Sequence, residues 1–319
     1  MSFSALTRRL RGGSRALLQL SRHGRPERVL LFGPMSLGDD LLCTTVLREA
    51  RRRGTPFAMM TARPELFLGN TDVAAVLPVD DYYALLLGRL GTQVVQPYYT
   101  AQIPGDPARD GLPQRPIAAE MCRLAGLTGE ITVRPYLYLT DEEHRRGRRF
   151  PRQIAIQSTC LTAAIPYETK EWGAGRLAAV ARLLRPEFSL VQIGRPNDPA
   201  LPVDLDLRGK TTLREAAGVL AGSLAFVGLE GFLGHLARAV DCPAVIVHGG
   251  RAPEGIFSYG ANRNFFSRPS CSPCGLRVNC PRDLECLAAI TPEAVAAAAR
   301  ELALAPPARP LFSDTVVIP

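Results

Sequence analysis

The chain has 319 residues, of which 46% are hydrophobic, and its formal net charge at neutral pH is +8. This length suits two domains better than one, and the hydrophobic content is that of a folded globular protein rather than a disordered one. No apolar run is long enough to span a bilayer, which argues against an integral membrane protein.

The positive charge is concentrated in residues 1–27 and at Arg28, where seven arginines stand against one acidic residue, Glu27, with leucines interspersed. This pattern is compatible with a basic amphipathic helix attracted to anionic lipid, and equally with a solvated terminus. The segment has no apolar core of the signal-peptide type, so we expect a cytoplasmic protein that is at most peripheral at the inner face of the membrane. The other arginines are scattered without interleaved aromatic residues, which argues against a nucleic-acid partner.

From residue 28 onward, short apolar runs alternate with helical patterns, which is typical of parallel sheets covered by helices. The first block is predicted to hold strands at Val29–Phe32, Phe57–Met60, Val73–Val79 and Gln93–Val95 and helices at Asp40–Arg52 and Ile117–Leu127. The segment Gln102–Pro116, rich in proline and glycine, is predicted to be a long irregular loop. A charged helix at Asp141–Arg149 leads to Pro151, where the alternation restarts.

The second block repeats the same alternation. Its predicted strands are Ile154–Ile156, Phe188–Ile193, Phe226–Gly228 and Ala244–Val247, and its predicted helices are Gly175–Leu184, Thr212–Ala221 and Pro292–Leu304. We therefore expect two facing Rossmann-like domains, 28–150 and 151–305, followed by a Pro-rich tail, 306–319.

Glu230 follows the strand Phe226–Gly228 and is predicted to open an Ala/Leu-rich helix that carries His235. Open α/β sheets bind ligands at the carboxyl ends of their strands, and a helix N-terminus there suits a phosphate. The alternative is an ordinary helix cap. It explains the residue less well, because Glu caps helices more poorly than Ser, Thr, Asn or Asp.

Two further groups of residues follow predicted strands. Asp39 and Asp40 come after the first strand, where one carboxylate can cap the helix and a carboxylate facing a cleft can act as a general base. Ser158 and Thr159 end the first strand of the second block, and Lys170 follows one loop later. A lysine near hydroxyls and backbone amides can hold a pyrophosphate, although a solvated lysine beside a core tryptophan is commoner.

The eight cysteines fall into two groups. Four are isolated in apolar segments, and four crowd into one loop, at Cys271, Cys274, Cys280 and Cys286. Four thiolates so close in sequence can bind a structural Zn or Fe ion, while reduced thiols in an irregular loop explain them equally well. Disulfides are not expected in a reducing compartment.

Four of these motifs, in this order, resemble the heptosyltransferase family, glycosyltransferase family nine. They are Ser36-Leu37-Gly38-Asp39, Lys170-Glu171-Trp172, Gly228-Leu229-Glu230-Gly231 with His235, and the cysteine loop running into Ile290-Thr291-Pro292. The resemblance spans roughly residues 28–305. It implies the GT-B fold and inverting transfer of a heptose-like sugar from a nucleotide diphosphate donor, usually ADP-heptose, to a glycan, lipopolysaccharide, protein or metabolite acceptor.

The resemblance also implies roles for single residues. Asp39 matches the family's catalytic base, and Lys170 its donor-phosphate lysine. With the strand-end residues, the expected donor site consists of Ser158, Thr159, Lys170, Gly228, Glu230, Gly231, His235 and Gly249. No Asp-x-Asp pair lies beside the phosphate segment, so a catalytic metal is not expected. Some autotransporter heptosyltransferases hold iron at a loop similar to the cysteine loop.

The chain departs from the family at one place. Where the family usually has Asp, a small hydroxyl residue and Gly, this chain has Glu230-Gly231-Phe232. A sugar-nucleotide-binding or scaffold protein that has lost turnover is therefore the alternative function. A nicotinamide oxidoreductase is disfavoured, because the glycines between Gly33 and Gly38 lack the Gly-x-Gly-x-x-Gly spacing.

Overall fold

The computed structural model describes residues 3–31, 37–304 and 311–319, and their side chains except those of residues 3–11, 101 and 102. Phe32 of the first predicted strand, Ser36 of the first motif and residues 305–310 of the predicted tail lie outside this part of the chain.

Helices and strands alternate through most of the chain. The helices are α1 (Phe3–His23), α2 (Leu37–Arg52), α3 (Asp81–Arg89), α4 (Ile117–Leu124), α5 (Asp141–Gly147), α6 (Ala174–Leu184), α7 (Leu213–Ala221), α8 (Phe232–Ala239), α9 (Glu285–Ala288) and α10 (Pro292–Leu304). The strands are β1 (Arg28–Leu31), β2 (Ala58–Met60), β3 (Val76–Leu77), β4 (Gln93–Val95), β5 (Ala101–Ile103), β6 (Asp106–Gly111), β7 (Gly129–Val133), β8 (Gln153–Ile156), β9 (Ser189–Gln192), β10 (Leu205–Asp206), β11 (Ala225–Leu229), β12 (Ala244–Val247), β13 (Arg263–Phe265) and β14 (Asp314–Ile318). Among the described residues, no helix is both long and apolar enough to cross a membrane.

Two parallel sheets organise the fold. The first has the strand order β3-β2-β1-β4, and the second has the order β10-β9-β8-β11-β12-β13. Every strand pair within them is parallel. The predicted α/β class with two facing Rossmann-like sheets, the GT-B arrangement, is confirmed.

Three apolar clusters hold these layers together. Residues of α2, α4, α7 and α8 form one continuous cluster between the two sheets. The outer face of the first sheet is covered by α1 and α3, and that of the second by α6 and α10. Because α2 packs directly against α8, the carboxyl ends of the two sheets are brought to the same cleft.

The two halves are also joined away from the cleft. The C-terminal strand β14 returns to pair antiparallel with β7 of the first half. Helix α5 packs on α7 at Gly147 and Gly218, where a Cβ built on Gly147 would lie 1.8 Å from the Gly218 carbonyl oxygen. Only glycine permits this backbone approach. The predicted domain limits at residues 28, 150 and 305 stay predictions.

Two elements differ from the sequence prediction. The segment Gln102–Pro116 is not irregular, because β5 and β6 form an antiparallel hairpin across most of it. The strand predicted at Val73–Val79 is only β3, two residues long. Local composition marked both segments correctly as non-helical, but their pairing depends on contacts with distant residues.

Candidate active site

The predicted site residues lie at the carboxyl ends of parallel strands from both sheets. Asp39 is in the first turn of α2, after β1, and Glu230 directly follows β11. The helix α8 begins at Phe232, so Glu230 lies in the turn before it rather than within it, as the sequence suggested. A Cβ built on Gly38 would lie 3.7 Å from the His235 ring, so the two motifs meet across the cleft.

A buried ion pair forms the centre of the site. Lys170, at the end of a short 3-10 turn, places its Nζ 2.7 Å from Oε1 of Glu230. Nδ1 of His248 lies 3.7 Å from the other carboxylate oxygen, and a guanidinium nitrogen of Arg251 lies 3.8 Å from Oε1. Burial opposes ionisation of Glu230. The charge of Lys170, followed by His248 and Arg251, outweighs it and holds the Glu230 pKa below its ordinary range.

The turn that carries Lys170 is positioned by Gly249. A Cβ built on Gly249 would lie 2.0 Å from the carbonyl oxygen of Thr169, so the turn passes directly against the glycine backbone. The glycine predicted as a donor contact therefore also has a structural reason. It allows the lysine turn to approach the end of β12.

Asp39 has the environment of a general base. Its carboxylate is 9% exposed and accepts a hydrogen bond of 2.6 Å from the Tyr99 hydroxyl. Burial raises the pKa of Asp39 to about 6, while the Tyr99 hydrogen bond and the charge of Lys170 lower it. A base works best when its pKa lies near the working pH, and Asp39 approaches that condition.

The neighbouring carboxylate, Asp40, is bound to structural partners instead. It accepts hydrogen bonds from Thr61 at 2.8 Å and from Arg63 at 3.1 Å. The two adjacent acids therefore have different surroundings, and Asp39 is the one within electrostatic reach of Lys170.

His235 is buried in the donor motif and is held by Tyr259. Its Nδ1 lies 2.7 Å from the Tyr259 hydroxyl, and the two rings pack edge to face. Burial, and then the charge of Lys170, lower the pKa of His235 to about 4. The imidazole is therefore neutral at neutral pH, and it can donate or accept a hydrogen bond without adding charge.

A small cavity opens between these groups. It is lined by Glu230, Gly231, Gly234, His235, Ile246, His248, Phe257, Tyr259 and Asn262. Its volume of about 10 Å³ holds roughly one water molecule. A Cβ built on Gly231 would meet nothing within 4 Å, so the backbone there is open to a ligand. A nucleotide sugar can occupy this place only after the cleft opens.

Three predicted donor residues are engaged by the protein itself. The hydroxyl of Ser158 accepts a hydrogen bond from Gln192, and that of Thr159 donates one to Glu171 at 2.7 Å. A side chain on Gly228 would collide with the Phe226 ring and with Gln157, which explains that glycine by packing within β11. The structure brings Asp39, Lys170, Glu230, Gly231, Gly249 and His235 together and gives the hydroxyl pair and Gly228 internal roles.

Several residues of the site were missed by the sequence analysis. They are Tyr99, Asp110, Tyr167, His248, Arg251, Phe257 and Tyr259. His248 and Arg251 follow the end of β12, and this position alone could have marked them. The others come from loops and from the β5–β6 hairpin, where local pattern carries no signal for long-range contact.

The four clustered cysteines do not form a metal site in this arrangement. Within the described parts of the chain, no three His, Cys, Asp or Glu side chains converge as a set of metal ligands. Cys271 is exposed and lies 3.8 Å from a carboxylate oxygen of Glu285, while the Cys286 sulfur accepts a hydrogen bond from the Gly250 amide. The residues present therefore do not fit the expected ion as they stand.

The sequence was compared with protein families and with curated proteins. Residues 170–281 match the profile of glycosyltransferase family 9 (heptosyltransferase). This region holds Lys170, Glu230, His235 and the first three clustered cysteines. A search of curated proteins gave no match.

Solved structures of similar fold cover most of the chain. ADP-heptose LPS heptosyltransferase II of E. coli is 17% identical, covers 87% of this chain and 98% of its own, and has a TM-score of 0.62. A family 9 glycosyl transferase from Veillonella parvula is 14% identical, covers 88% of this chain and 98% of its own, and has a TM-score of 0.61.

A third structure is TibC of enterotoxigenic E. coli, described as a dodecameric iron-containing heptosyltransferase and solved in complex with ADP-D-beta-D-heptose. It is 18% identical, covers 87% of this chain and 76% of its own, and has a TM-score of 0.64. The resemblance stated from the motifs is thus confirmed by the sequence of residues 170–281 and by the fold, and the chain is a glycosyltransferase of the family 9 type.

Proposed function

We propose that the protein is an inverting glycosyltransferase that transfers a heptose or a similar sugar from a nucleotide diphosphate, with ADP-heptose favoured, to an acceptor hydroxyl. The observation that carries this proposal is the pairing of two features across one cleft. Asp39, an acid with a raised pKa, comes from the first half, and the Lys170–Glu230 pair comes from the second. The first half then binds the acceptor and the second half the donor.

The chemistry needs one proton transfer and one displacement. Asp39 accepts the proton of the acceptor hydroxyl as its oxygen attacks the anomeric carbon. The bond from that carbon to the diphosphate oxygen breaks, and the departing diphosphate carries away the bonding electrons. Lys170, buried with 16% of its side chain exposed, stabilises this charge. Attack opposite the leaving group inverts the anomeric configuration.

Glu230 is assigned to the sugar or ribose of the donor. Its lowered pKa keeps it ionised, so it accepts hydrogen bonds from hydroxyl groups and does not serve as a proton donor. The open backbone at Gly231 lets the donor approach. Because Glu is one methylene longer than the family's Asp, the sugar accepted by this chain is expected to differ in size or in hydroxyl placement.

The donor is identified by incubating the purified protein with a panel of nucleotide sugars and measuring thermal shift and nucleoside diphosphate release. One nucleotide sugar should raise the melting temperature and be hydrolysed slowly without acceptor. Hydrolysis should be lost in Asp39→Asn or Lys170→Ala. Stabilisation without any hydrolysis would instead support the alternative, a sugar-nucleotide-binding or scaffold protein. Failure of every nucleotide sugar to bind would contradict both.

A membrane surface is proposed as the location of the acceptor, as in lipopolysaccharide assembly. Helix α1 packs on α3, and the two helices expose a patch that we call the α1–α3 surface: Leu17, Leu18, Tyr82 and Leu85, with 61%, 47%, 37% and 54% of each residue exposed. The helix carrying this patch also carries the chain's densest group of arginines. Apolar side chains beside arginines suit anionic lipid, to which each basic residue adds about 1 kcal/mol.

Sedimentation with lipid vesicles tests this surface. The protein should bind vesicles of phosphatidylcholine with phosphatidylglycerol, should bind pure phosphatidylcholine poorly, and should dissociate in high salt. Replacing Leu17 and Leu85 with Ser should weaken binding. Phe312→Ser, which alters a residue 64% exposed elsewhere, serves as the matched control. Equal binding by all of these proteins would contradict the assignment.

A structural Zn or Fe ion at Cys271, Cys274, Cys280 and Cys286 stays a prediction. The loop would have to close, because Cys271 lies at the surface. Elemental analysis of protein purified without affinity-tag metal should find about one ion per chain, lost in Cys271→Ser. Metal-free protein whose stability Cys271→Ser leaves unchanged would refute the ion.

A further inference from the structure

Arg251 is a buried cation in the site that the motifs do not include. It follows β12, only 2% of its side chain is exposed, and its guanidinium stacks between the rings of Tyr167 and Phe257, at 4.8 and 4.9 Å. These two rings also border Lys170, whose Nζ lies 4.5 and 5.6 Å from their centroids. The two cations therefore share one aromatic wall.

Lys170 and Arg251 also share one anion. Both have a nitrogen within 4 Å of the same Glu230 oxygen, at 2.7 and 3.8 Å. Two like charges this close repel each other, and the repulsion is offset when an anion of higher charge lies between them. A diphosphate has this charge and several oxygens to share between the two cations.

The guanidinium of Arg251 is not fully used by the protein. Its Nε is buried and has no hydrogen-bond partner among the described residues, and neither does Oε1 of Glu230, because the Lys170 contact is not aligned as a hydrogen bond. An unsatisfied buried donor is costly and is usually explained by a ligand or function. A guanidinium is moreover suited to phosphate, since its planar fork donates to two oxygens at once.

The strongest contact of Arg251 is made with the other half of the chain. Asp110, on β6 of the hairpin, lies 2.6 Å from its guanidinium and also accepts a hydrogen bond from Tyr167. The backbone of the hairpin is bonded to the loop at Gly275 and Arg277. The carboxylate of Asp110 thus occupies, from across the cleft, the place where an external anion would reach Arg251.

We propose that Arg251 is a second cation for the donor diphosphate, beside Lys170, and that Asp110 is an internal anion that occupies this place until the donor displaces it. This inference rests on the proposed function and extends its donor site to a residue outside the family motifs. It gives the two carboxylates opposite effects. Glu230 remains in the site for the sugar, whereas Asp110 competes with the phosphates.

Calorimetric titration of the full-length protein with ADP, inorganic pyrophosphate and adenosine tests the proposal. Arg251→Gln should weaken ADP and pyrophosphate binding by about 10- to 100-fold and leave adenosine binding unchanged. Asp110→Asn should tighten both anions several-fold, because a competing charge is removed. Arg214→Gln is the matched control, since Arg214 is a part-buried arginine paired with Glu143 away from the site.

The signs of these changes separate competition from support of the fold. If Asp110 merely held the hairpin in place, Asp110→Asn would weaken anion binding as Arg251→Gln does, and that result would overturn the proposal. Unchanged ADP affinity in Arg251→Gln, with Lys170→Ala strongly weakened, would also overturn it while leaving the proposed function intact. Pyrophosphate binding that depends on Arg251, without binding of any nucleotide sugar, would support the inference and contradict the proposed function.

Discussion

Replacing Asp39 with Asn is expected to abolish most activity and yet stabilise the folded protein. The pKa of Asp39 is raised from 3.8 to about 6, chiefly because the carboxylate is buried. The folded state therefore binds the proton more tightly than the unfolded state. Ionisation of Asp39 then costs nothing below pH 3.8, and its cost grows as the pH rises to about 6.

The size of this cost follows from the shift. A change from 3.8 to about 6 corresponds to about 3 kcal/mol of unfolding free energy at pH 8, as an upper value. Asn is neutral at every pH and can still accept the hydrogen bond from Tyr99. The variant should therefore gain up to this amount at pH 8, and the gain should shrink as the pH falls towards 4. Turnover should drop by about two to four orders of magnitude, the usual contribution of a positioned base.

Thermal and denaturant unfolding of both proteins between pH 4 and pH 8, with parallel assays of donor turnover, measures the two effects. Asp40→Asn is the control for activity, because the Asp40 carboxylate is bound to Thr61 and Arg63 and should not take part in turnover. A variant Asp39→Asn that is less stable than wild type at pH 8, or that keeps near-normal turnover, would refute the assignment.

Four other changes address separate parts of the site and fold. Tyr99→Phe should move the acid limb of the pH–rate profile to higher pH, since its hydrogen bond lowers the pKa of Asp39; an unmoved limb would argue that this contact is absent during turnover. Lys170→Ala should weaken ADP binding, and added salt should narrow the gap from wild type, whereas equal affinities at low salt would place Lys170 outside the donor site. Glu230→Gln should raise the donor dissociation constant by about one to two orders of magnitude without moving the acid limb, and Glu230→Asp should change the preference among nucleotide sugars. Gly147→Ala should lower the melting temperature but not ligand affinity, because its Cβ would lie 1.8 Å from the Gly218 carbonyl oxygen, and an unchanged melting temperature would show that α5 can move.

The sequence alone determined the class of fold and most of the elements around the site. Buried parallel strands are short continuous apolar runs, and such runs are visible without any partner. For this reason β1, β2, β8, β9, β11 and β12 and the helices between them agree with the predicted alternation. The ends of these strands then marked Asp39, Glu230 and Lys170 as neighbours of one cleft, since the carboxyl ends of parallel strands share one edge.

The tertiary structure decided which of these residues have free chemistry and which further residues join them. Ser158 and Thr159 stand at the predicted strand end, but Gln192 and Glu171 engage their hydroxyls. The hairpin that carries Asp110, the hydroxyl of Tyr99 on Asp39 and the return of β14 to β7 join residues that are far apart in the chain. Periodicity reports only whether a segment has an apolar face, and it does not identify the partner that covers that face. These contacts, and with them the surroundings of Arg251, therefore depend on the folded arrangement of both halves.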